Sequence, residues 1–588
     1  MRAFCFILLL VCAVAGLGRG LSVSGDGRTE EVIVRKDVPD AATCARAGIE
    51  RLRAAGGGTL RFEKGEYHFH SSAAAKAALY ISNHDKLPEH PVFLPLTNLV
   101  GVTVDGGGSR FVFHGQGIAA LVMDSERVTL KNFSVDWARP YNTEMTVLGY
   151  EDGKTLVSVD ENRYPVELRD GKLFAVGEDW SMPTGYGIVF RKDTHEIPER
   201  MTSVRFDGSA EARGNGRYLL KTDMSKFGLG GVRPGDVFVS RPCQEPWRPH
   251  PAITLYRAKD TVVEDVVLHA AFGMGVLAQR SENFTMRGTG TGPEKTCGAW
   301  PAAGRASAQM VDATHFVGVK GKVSVSGCRF ERMLDDAINV HSTGLGIVSN
   351  PAPNVIVCRG MHEQGWGFDM FAPGDGLRFV KVRTLENREE VVVTAVRALS
   401  PRETELTLSA PVPQDLGVGD AVENADWQCA VDFTDNVVAR NMARGVLFTT
   451  PKPVLVRGNL FENVSGAAIL LAGDARLWYE TGACDGVRVV GNVFRNCLTS
   501  HFQYCEAVVS VFPTVEDLSL QARSYHRNLH VEDNVFETFD APLLFARSVD
   551  GVFWRGNRIV SNDRYSGWGK ARFMTDGCKR LKIEEEKR

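Results

Sequence analysis

Residues 454–471 read Val-Leu-Val-Arg-Gly-Asn-Leu-Phe-Glu-Asn-Val-Ser-Gly-Ala-Ala-Ile-Leu-Leu, and this stretch decides the fold. A short alternating strand runs into a Gly-Asn turn, an apolar residue and a Phe, and a second apolar strand starts seven residues after the Phe. Alternation with period two indicates strands, and Gly or Asn between them indicates tight turns. The unit recurs as Gly327-Cys328-Arg329-Phe330, Gly491-Asn492-Val493-Phe494, Asp533-Asn534-Val535-Phe536 and, more weakly, Gly556-Asn557-Arg558-Ile559.

The spacing of these units is typical of a solenoid, because they lie roughly 18 to 33 residues apart. Each rung of such a solenoid buries its inward Val, Ile and Phe only against the neighbouring rungs. Asn side chains can stack in ladders at the corners, and Asn also tolerates a left-handed backbone there. With 60 glycines in 588 residues, the pattern predicts an all-β fold, a right-handed parallel β-helix.

Two stretches interrupt the rungs with longer alternating strands and hairpin turns. Both contain a Pro-Gly-Asp turn before a strand, at 234–236 and at 373–375. We interpret them as two small, mutually related β-barrel-like insertions. The predicted division is a signal peptide over 1–15 (extending to about 20), N-terminal rungs over 25–140, a first insertion over 141–250, rungs with the candidate site over 251–349, a second insertion over 350–426 and C-terminal rungs over 427–588.

Composition narrows the class of partner and the kind of site. The formal net charge is −3 and the 68 basic residues are scattered, so nucleic acid is not expected as a partner. The cysteines are widely spaced, without a CxxC pair or Cys/His clusters, which argues against structural zinc. Most are expected to be buried small hydrophobes, with room for a disulfide or two.

The N-terminus predicts export. Arg2 precedes an apolar run from Phe4 to Val14, and Ala13-Val14-Ala15 resembles a cleavage site. The run is shorter than the ~20 residues of a membrane span. Cys12 lacks the small preceding residue that lipoprotein processing prefers. We therefore expect a secreted or periplasmic bacterial protein without a membrane span.

Aligning the rungs exposes a candidate site. Where one rung has Gly466-Ala467 and another has Ala541-Pro542, a third has Asp335-Asp336. Two adjacent carboxylates repel, and holding them beside an apolar strand costs free energy unless they bind something or share a proton. They can both face one cleft at a bend between strands. An ordinary solvated Asp-Asp turn is the alternative interpretation.

Asp312 lies 23 residues before Asp335, about one turn of the solenoid. Neighbouring strands are ~4.8 Å apart, so Asp312 is expected to face the same surface. Three converging carboxylates suit glycosidic hydrolysis, in which one gives a proton to the leaving oxygen and another activates water or attacks the sugar. Calcium is the competing explanation of clustered Asp, but no DxDxDG-like spacing surrounds it.

Aromatic and polar residues beside the acids are candidate sugar contacts. Indole faces stack on pyranose rings while carboxylates accept from hydroxyls. Core packing is the alternative for each Trp, and a structural role is the alternative for each His. The candidate substrate-binding residues are Asp136, Trp137, His315, Asn339, His341, Trp478 and Glu480.

These motifs resemble glycoside hydrolase family 110, the exo-acting α-1,3-galactosidases. The matching segments are Asp312-Ala313-Thr314-His315-Phe316, residues 334–341, Val135-Asp136-Trp137 and residues 478–482. The resemblance implies hydrolysis of terminal α-1,3-linked galactose (blood group B-type or linear) with inversion and without metal or organic cofactor. It assigns Asp312, Asp335 and Asp336 to catalysis, with Asp312 chosen as acid and the pair as base. Inversion predicts ~6.5–9.5 Å between acid and base.

Two alternatives stay open at the level of sequence. The same β-helix suits a polygalacturonase-like hydrolase or a uronate lyase, for which Arg329, Arg332 or Lys320 would have to face the groove. The chain is otherwise a non-catalytic glycan-binding solenoid. Under the first interpretation the partner is an oligosaccharide or glycoconjugate with terminal α-galactose, and the open solenoid ends allow a homo-oligomer.

Overall fold

The computed structural model describes residues 21–24, 30–38, 40–288 and 297–584. The predicted signal peptide lies outside the described residues. Most of the described chain is a right-handed parallel β-helix, and two antiparallel units branch from it, so the predicted fold class is confirmed. Within the described residues, no helix is long and apolar enough to cross a membrane.

Two walls of the solenoid form one continuous 22-stranded sheet that bends at the Gly-Asn and Asp-Asn turns. Its strands are Leu21–Ser24, Glu31–Val34, Gly58–Phe62, Glu66–His70, Val102–His114, Thr129–Trp137, Lys259–Leu268, Glu282–Arg287, Gly298–Ala299, Lys320–Ser326 and Arg329–Glu331 in the N-terminal half. They continue as Cys429–Thr434, Val437–Ala439, Val454–Arg457, Leu460–Glu462, Asp485–Val490, Val493–Arg495, His526–Glu532, Val535–Thr538, Val549–Arg555, Arg558–Ser561 and Lys579–Ile583.

A third wall of parallel strands closes the solenoid, and the candidate site lies where three of its strands begin. The wall consists of Glu89–Thr97 (with the antiparallel edge Ala75–Ala78), Ile118–Met123, Ile253–Tyr256, Val276–Gln279, Thr314–Val317, Ile338–Ala352, Val446–Thr449, Ile469–Gly473, Val509–Pro513, Leu544–Arg547 and Phe573–Asp576. A two-residue strand, Glu480–Thr481, pairs with residues 342–343 beside it.

The corners are held by a ladder of five buried asparagines. The Nδ2–H groups of the first four donate to the Oδ1 atom of the next Asn at 2.9–3.1 Å, and that Oδ1 atom also accepts from a backbone N–H. The residue before Asn, rather than Asn itself, adopts the left-handed conformation (φ 68° at Gly458). Glycine or aspartate fits this position because L side chains otherwise clash there. The ladder runs through Asn436, Asn459, Asn492, Asn534 and Asn557.

An α-helix, Ala41–Ala55, covers the N-terminal end of the solenoid. The Asp40 carboxylate caps its first turn, and Gly56 ends it with φ 81°. Its buried side chains include Ile49 and Leu52, which pack over the first rung and keep the apolar interior from water. The rung pattern did not predict this helix.

The first insertion is an antiparallel eight-stranded sheet with its own core. The two ends of this sheet approach each other, and there the Leu173 N–H donates to the Gly208 carbonyl. The second is a closed six-stranded ring completed by the far half of Ile338–Ala352. The first contains Thr143–Glu151, Lys154–Val159, Val166–Arg169, Lys172–Val176, Ser181–Phe190, Ala210–Gly214, Arg217–Leu220 and Val237–Pro242, and the second contains Val355–Arg359, Gly376–Lys381, Glu386–Ala398, Glu403–Leu408 and Ala421–Asn424.

The Asp side chains of the two Pro-Gly-Asp turns accept equivalent backbone hydrogen bonds. Oδ2 of Asp236 accepts from the Arg233 N–H at 2.8 Å, and Oδ2 of Asp375 accepts from the Ala372 N–H at 2.8 Å. Both carboxylates thus close a turn three residues long before a barrel strand. The ten cysteines within the described residues are unpaired, and most are buried.

Candidate active site

Three charged residues occupy one register position in successive rungs. The strands that begin two residues after Asp312, Asp336 and Arg444 pair in parallel, in that order. The solenoid therefore stacks these three side chains, although they are 24 and 108 residues apart in sequence. Asp335 lies beside them in the bend before its strand, where neighbouring side chains are not forced to opposite faces.

Asp336 is locked in a buried ion pair. Its Oδ1 atom accepts from the Arg444 backbone N–H at 2.9 Å, and its Oδ2 atom lies 2.8 Å from the Arg444 guanidinium. Burial raises the pKa of Asp336, and Arg444 opposes this rise. Burial would lower the pKa of Arg444, but Asp336 and Asp335 outweigh burial and raise it, so the guanidinium keeps its charge. Its 2.8 Å contact with Oδ2 favours the carboxylate form of Asp336. Both oxygens of Asp336 contact Arg444, and its side chain has no exposed surface. Asp336 therefore influences the charge of the site from within the protein.

Asp312 and Asp335 face each other in different surroundings. One oxygen from each of Asp312, Asp335 and Asp336 lies within 4.8 Å of the others. Burial raises the pKa of Asp312 well above its ordinary value, and the charge of Asp335 raises it further. Asp335 is partly exposed, whereas Asp312 and Asp336 are buried. The site thus holds one carboxyl that favours a proton beside one that water and substrate can reach.

Two histidines continue from Asp312 into the protein. Oδ2 of Asp312 lies 2.6 Å from Nδ1 of His315, and Nε2 of His315 lies 2.8 Å from Nε2 of His341. Nδ1 of His341 donates to the Ser342 carbonyl at 2.8 Å. Burial lowers the pKa of His315 well below its ordinary value, and His341 lowers it further. His315 and His341 are 1% and 4% exposed, so they support Asp312 from within.

Glu480 reaches the same cluster from the strand paired with residues 342–343. Its Oε2 atom is 3.4 Å from the Asn339 amide nitrogen, and its Oε1 atom is 3.4 Å from the Asn83 amide nitrogen and 3.5 Å from Nε2 of His341. The structure therefore brings Asn339, His341 and Glu480 together, as the sequence predicts. Amide and carboxylate groups in this arrangement can exchange hydrogen bonds with sugar hydroxyls.

Trp478 forms an aromatic wall. It is partly exposed, and its ring stacks on His362 at a centroid distance of 4.0 Å. The Arg248 guanidinium lies 5.9 Å from the Trp478 centroid. His362 belongs to the second insertion, and Arg248 follows the last strand of the first, so both insertions contribute to the wall.

Asp136 and Trp137 do not belong to this site, which corrects the prediction for both. Trp137 is 1% exposed and packs in the solenoid core against Phe113 and Phe272. Asp136 is fully buried in an ion pair with Arg305 at 2.6 Å. A strand alternates its faces, so an acid and a Trp adjacent in sequence at a rung end serve two separate structural purposes.

Two site residues were missed from the sequence, Arg444 and Arg248. Asp435-Asn436-Val437-Val438 is a rung without the Phe, and aligning it would have placed Arg444 at the position of Asp336. Burial lowers the pKa of Arg248, whereas Asp335 and Asp312 raise it. Arg248 sits in an irregular segment, so no repeat signals it.

The three cations that the sequence offered for an acidic sugar are engaged elsewhere. Arg329 and Arg332 lie 2.6 Å and 3.5 Å from Glu331, and Lys320 lies 3.3 Å from Glu282. The three aspartates also lie close enough together to hold a metal ion. The guanidinium of Arg444 already supplies positive charge at that position, so we assign no cation.

Comparisons with known proteins identify the two insertions. Residues 143–236 match the family described as GLAA-B beta-barrel domain I, and residues 355–422 match GLAA-B beta-barrel domain II. Among solved structures, an exopolygalacturonase from Thermotoga maritima is similar at 13% identity with a TM-score of 0.33, covering 93% of this chain and 85% of that chain.

Curated relatives are similar along the whole length of the chain. Alpha-1,3-galactosidase B of Akkermansia muciniphila is 40% identical over 98% of this chain and 71% of the relative. Alpha-1,3-galactosidase B of Phocaeicola vulgatus is 36% identical over 90% of each. The chain therefore belongs to glycoside hydrolase family 110, with the α-1,3-galactosidases, and is a galactosidase that hydrolyses glycans.

Proposed function

We propose that this galactosidase is exo-acting and removes terminal α-1,3-linked galactose from oligosaccharides or glycoconjugates. The observation that carries the proposal is the convergence of Asp312 and Asp335, with the charges of Arg248 and Glu480 near Asp312 and with Trp478 beside Arg248. These residues come from separate loops and both insertions, which favours a closed pocket for one terminal sugar over an open groove. The relatives named alpha-1,3-galactosidase support the linkage.

We assign separate roles to the three aspartates. Asp312, buried and favouring its proton, gives that proton to the leaving oxygen as general acid. Asp335, exposed in part, takes a proton from the attacking water as general base. Asp336 is a positioning residue, because Arg444 occupies both of its oxygens. Trp478 stacks on the apolar face of the galactose ring, while Glu480 and Asn339 bind its hydroxyls.

Inversion is part of the proposal and is the step most open to measurement. One oxygen of Asp312 and one oxygen of Asp335 lie within 4.8 Å of each other, so the two carboxyl groups are close together without substrate. An inverting acid and base need ~6.5–9.5 Å, so we expect the pair to open when sugar and the attacking water bind. NMR of the first product will show β-galactose. α-Galactose as first product would establish retention instead.

Substrate panels and two variants test the site. Nitrophenyl α-galactoside and Gal-α1,3-Gal will be hydrolysed, with polygalacturonate untouched and chelator without effect. Asp335→Asn will lose about 10²–10⁴-fold in kcat on both galactosides. Asp312→Asn will lose much more on the disaccharide than on the nitrophenyl substrate, whose leaving group needs little protonation. Asp563→Asn, an exposed aspartate far along the chain, is the matched control.

Equal losses for Asp312→Asn on both substrates would refute the acid assignment. Near-full hydrolysis by Asp335→Asn would refute the base assignment. Export is a further part of the proposal, since the N-terminal segment predicts cleavage near residue 15. N-terminal sequencing of protein secreted by the native cell checks it, and an intact Met1 on the exported protein would contradict it.

A further inference from the structure

The hydrogen bonds that link Asp312, His315 and His341 determine how many protons these three side chains share. Three short contacts link Asp312 to His315 (2.6 Å), His315 to His341 (2.8 Å) and His341 to the Ser342 carbonyl (2.8 Å). Each contact needs one hydrogen, because two bare lone pairs at such distances repel. Two neutral imidazoles bring two protons and a carboxylate brings none. The chain therefore carries a third proton.

The far end of the chain limits where that proton lies. A carbonyl oxygen only accepts, so Nδ1 of His341 carries a hydrogen. If His341 is neutral, its Nε2 atom is bare and must accept from Nε2–H of His315. His315 then meets Asp312 through a bare Nδ1 atom, unless it is itself a cation. The third proton is thus on Asp312, on His315 as an imidazolium, or on His341 as an imidazolium.

The surrounding charges favour Asp312. Placing the proton on either histidine creates a buried carboxylate and a buried cation, whereas placing it on Asp312 creates neither. Asp335 disfavours a second carboxylate here, and Arg248 disfavours a cation at His315. The charges of Arg444 and Arg248 favour the carboxylate, and the charges of Glu480 and Asp335 favour an imidazolium, but burial is the largest influence on both groups.

One further histidine faces the chain. His84 accepts the Met274 N–H at Nε2 (3.2 Å) and donates from Nδ1 to the Ser82 carbonyl (3.1 Å). Both of its nitrogens are therefore satisfied in the neutral form. His84 adds no charge beside His315.

We propose that His315 and His341 are positioning residues for the catalytic acid: their tautomers hold a proton on the Asp312 carboxyl, so that Asp312 meets the substrate as a carboxylic acid. This inference rests on the proposed function, in which Asp312 is the acid. When the sugar is bound, the Asp312 hydroxyl turns from Nδ1 of His315 to the leaving oxygen, its O–H bond breaks, and its proton joins that oxygen as the C1–O bond breaks. Water bonds to C1 and gives its proton to Asp335, and solvent exchange resets both carboxyls.

A matched pair of substitutions at residue 341 tests the tautomer directly. His341→Gln keeps an acceptor for Nε2–H of His315, whereas His341→Leu removes it. In the Leu variant, His315 moves its hydrogen to Nδ1 and donates to the Asp312 carboxylate, which stabilises the charged form. The basic limb of kcat/KM against pH will then shift to lower pH by ~1–2 units, and kcat at neutral pH will fall. His341→Gln will keep the wild-type limb.

A role in substrate binding or in folding alone gives a different result. Both variants would then raise KM or lower the thermal midpoint together, with the basic limb unmoved, and that outcome would overturn the inference. Wild-type hydrolysis of Gal-α1,3-Gal is measured in the same series. Its absence would remove the proposed function, whereas active variants with unshifted limbs remove only this inference.

A second measurement needs no folded variant at residue 341. In protein labelled with ¹⁵N in its imidazoles, the His315 signals will be those of a neutral ring protonated at Nε2, at neutral pH. They are assigned by their loss in His315→Gln. A signal protonated at Nδ1, or at both nitrogens, would place the third proton elsewhere and overturn the inference.

Discussion

Replacing Arg444 by methionine removes the guanidinium that lies 2.8 Å from the buried Asp336 carboxylate. Asp336 then has two choices in the folded protein. It stays ionised without a partner, which costs about 3–5 kcal/mol, or it takes up a proton. At pH 7, protonating a carboxyl with an ordinary pKa of 3.8 costs about 4.4 kcal/mol, at about 1.36 kcal/mol per pH unit.

The route that costs less free energy determines how much stability is lost, and the cost of the proton route changes with pH. At pH 7 the free energy of unfolding will fall by about 3–4 kcal/mol. At pH 5 the proton route costs only about 1.6 kcal/mol, so the loss shrinks by about half. The sign follows from proton uptake: the folded variant holds a proton that the unfolded chain releases above pH 3.8. Stability is therefore highest below that pH and is lost as pH rises toward the raised folded pKa.

Urea denaturation followed by tryptophan fluorescence, at pH 5 and pH 7, measures the difference between Arg444→Met and wild type. The double variant Asp336→Asn with Arg444→Met has no buried carboxylate there and will show an offset independent of pH. Arg527→Met, an exposed arginine 3.3 Å from Asp485, will lose no more than about 1 kcal/mol. A deficit equal at both pH values, or below about 1 kcal/mol at pH 7, would refute the account of an ionised pair.

Four further predictions concern other parts of the molecule. Asp312→Asn will raise the thermal midpoint, more at pH 8 than at pH 5, because the carboxyl whose pKa burial raises is gone; a lowered midpoint would contradict this. Asn492→Ala will lower the free energy of unfolding in urea by at least about 2 kcal/mol, since it leaves buried ladder groups unpaired. Trp478→Ala will raise KM about two- to tenfold with kcat little changed. Trp137→Ala will instead cost about 3–5 kcal/mol of stability with KM unchanged, and the reverse pattern would restore Trp137 to the site.

The rung pattern was sufficient to predict the solenoid and the meeting of distant acids. Stacked rungs repeat one geometry, so aligning Asp335-Asp336 with Gly466-Ala467 also fixed their position in space. The helix over 41–55 was not predicted because it is the single α-helix of the described residues and follows no rung spacing. It is explained by the need to cover the open apolar end.

The limits of the sequence are clearest at Trp137 and Arg444. A Trp beside an acid has the same local sequence whether it packs in the core or faces a sugar, and only the alternation of that particular strand decides. Arg444 was not identified from the sequence because its rung lacks the Phe by which the other rungs were recognised. The proton count behind Asp312 depends on side-chain distances that no spacing contains.

The interval of 108 residues between Asp336 and Arg444 has a consequence during synthesis. A ribosome adds about 5–20 residues per second. Several seconds therefore pass between the synthesis of Asp336 and that of Arg444, while the second insertion is made. Until then, the strand that begins at Ile338 offers an open parallel edge. A nascent chain stalled in this interval exposes an unpaired edge and an uncompensated acid, which makes this the stretch where a chaperone would be needed most.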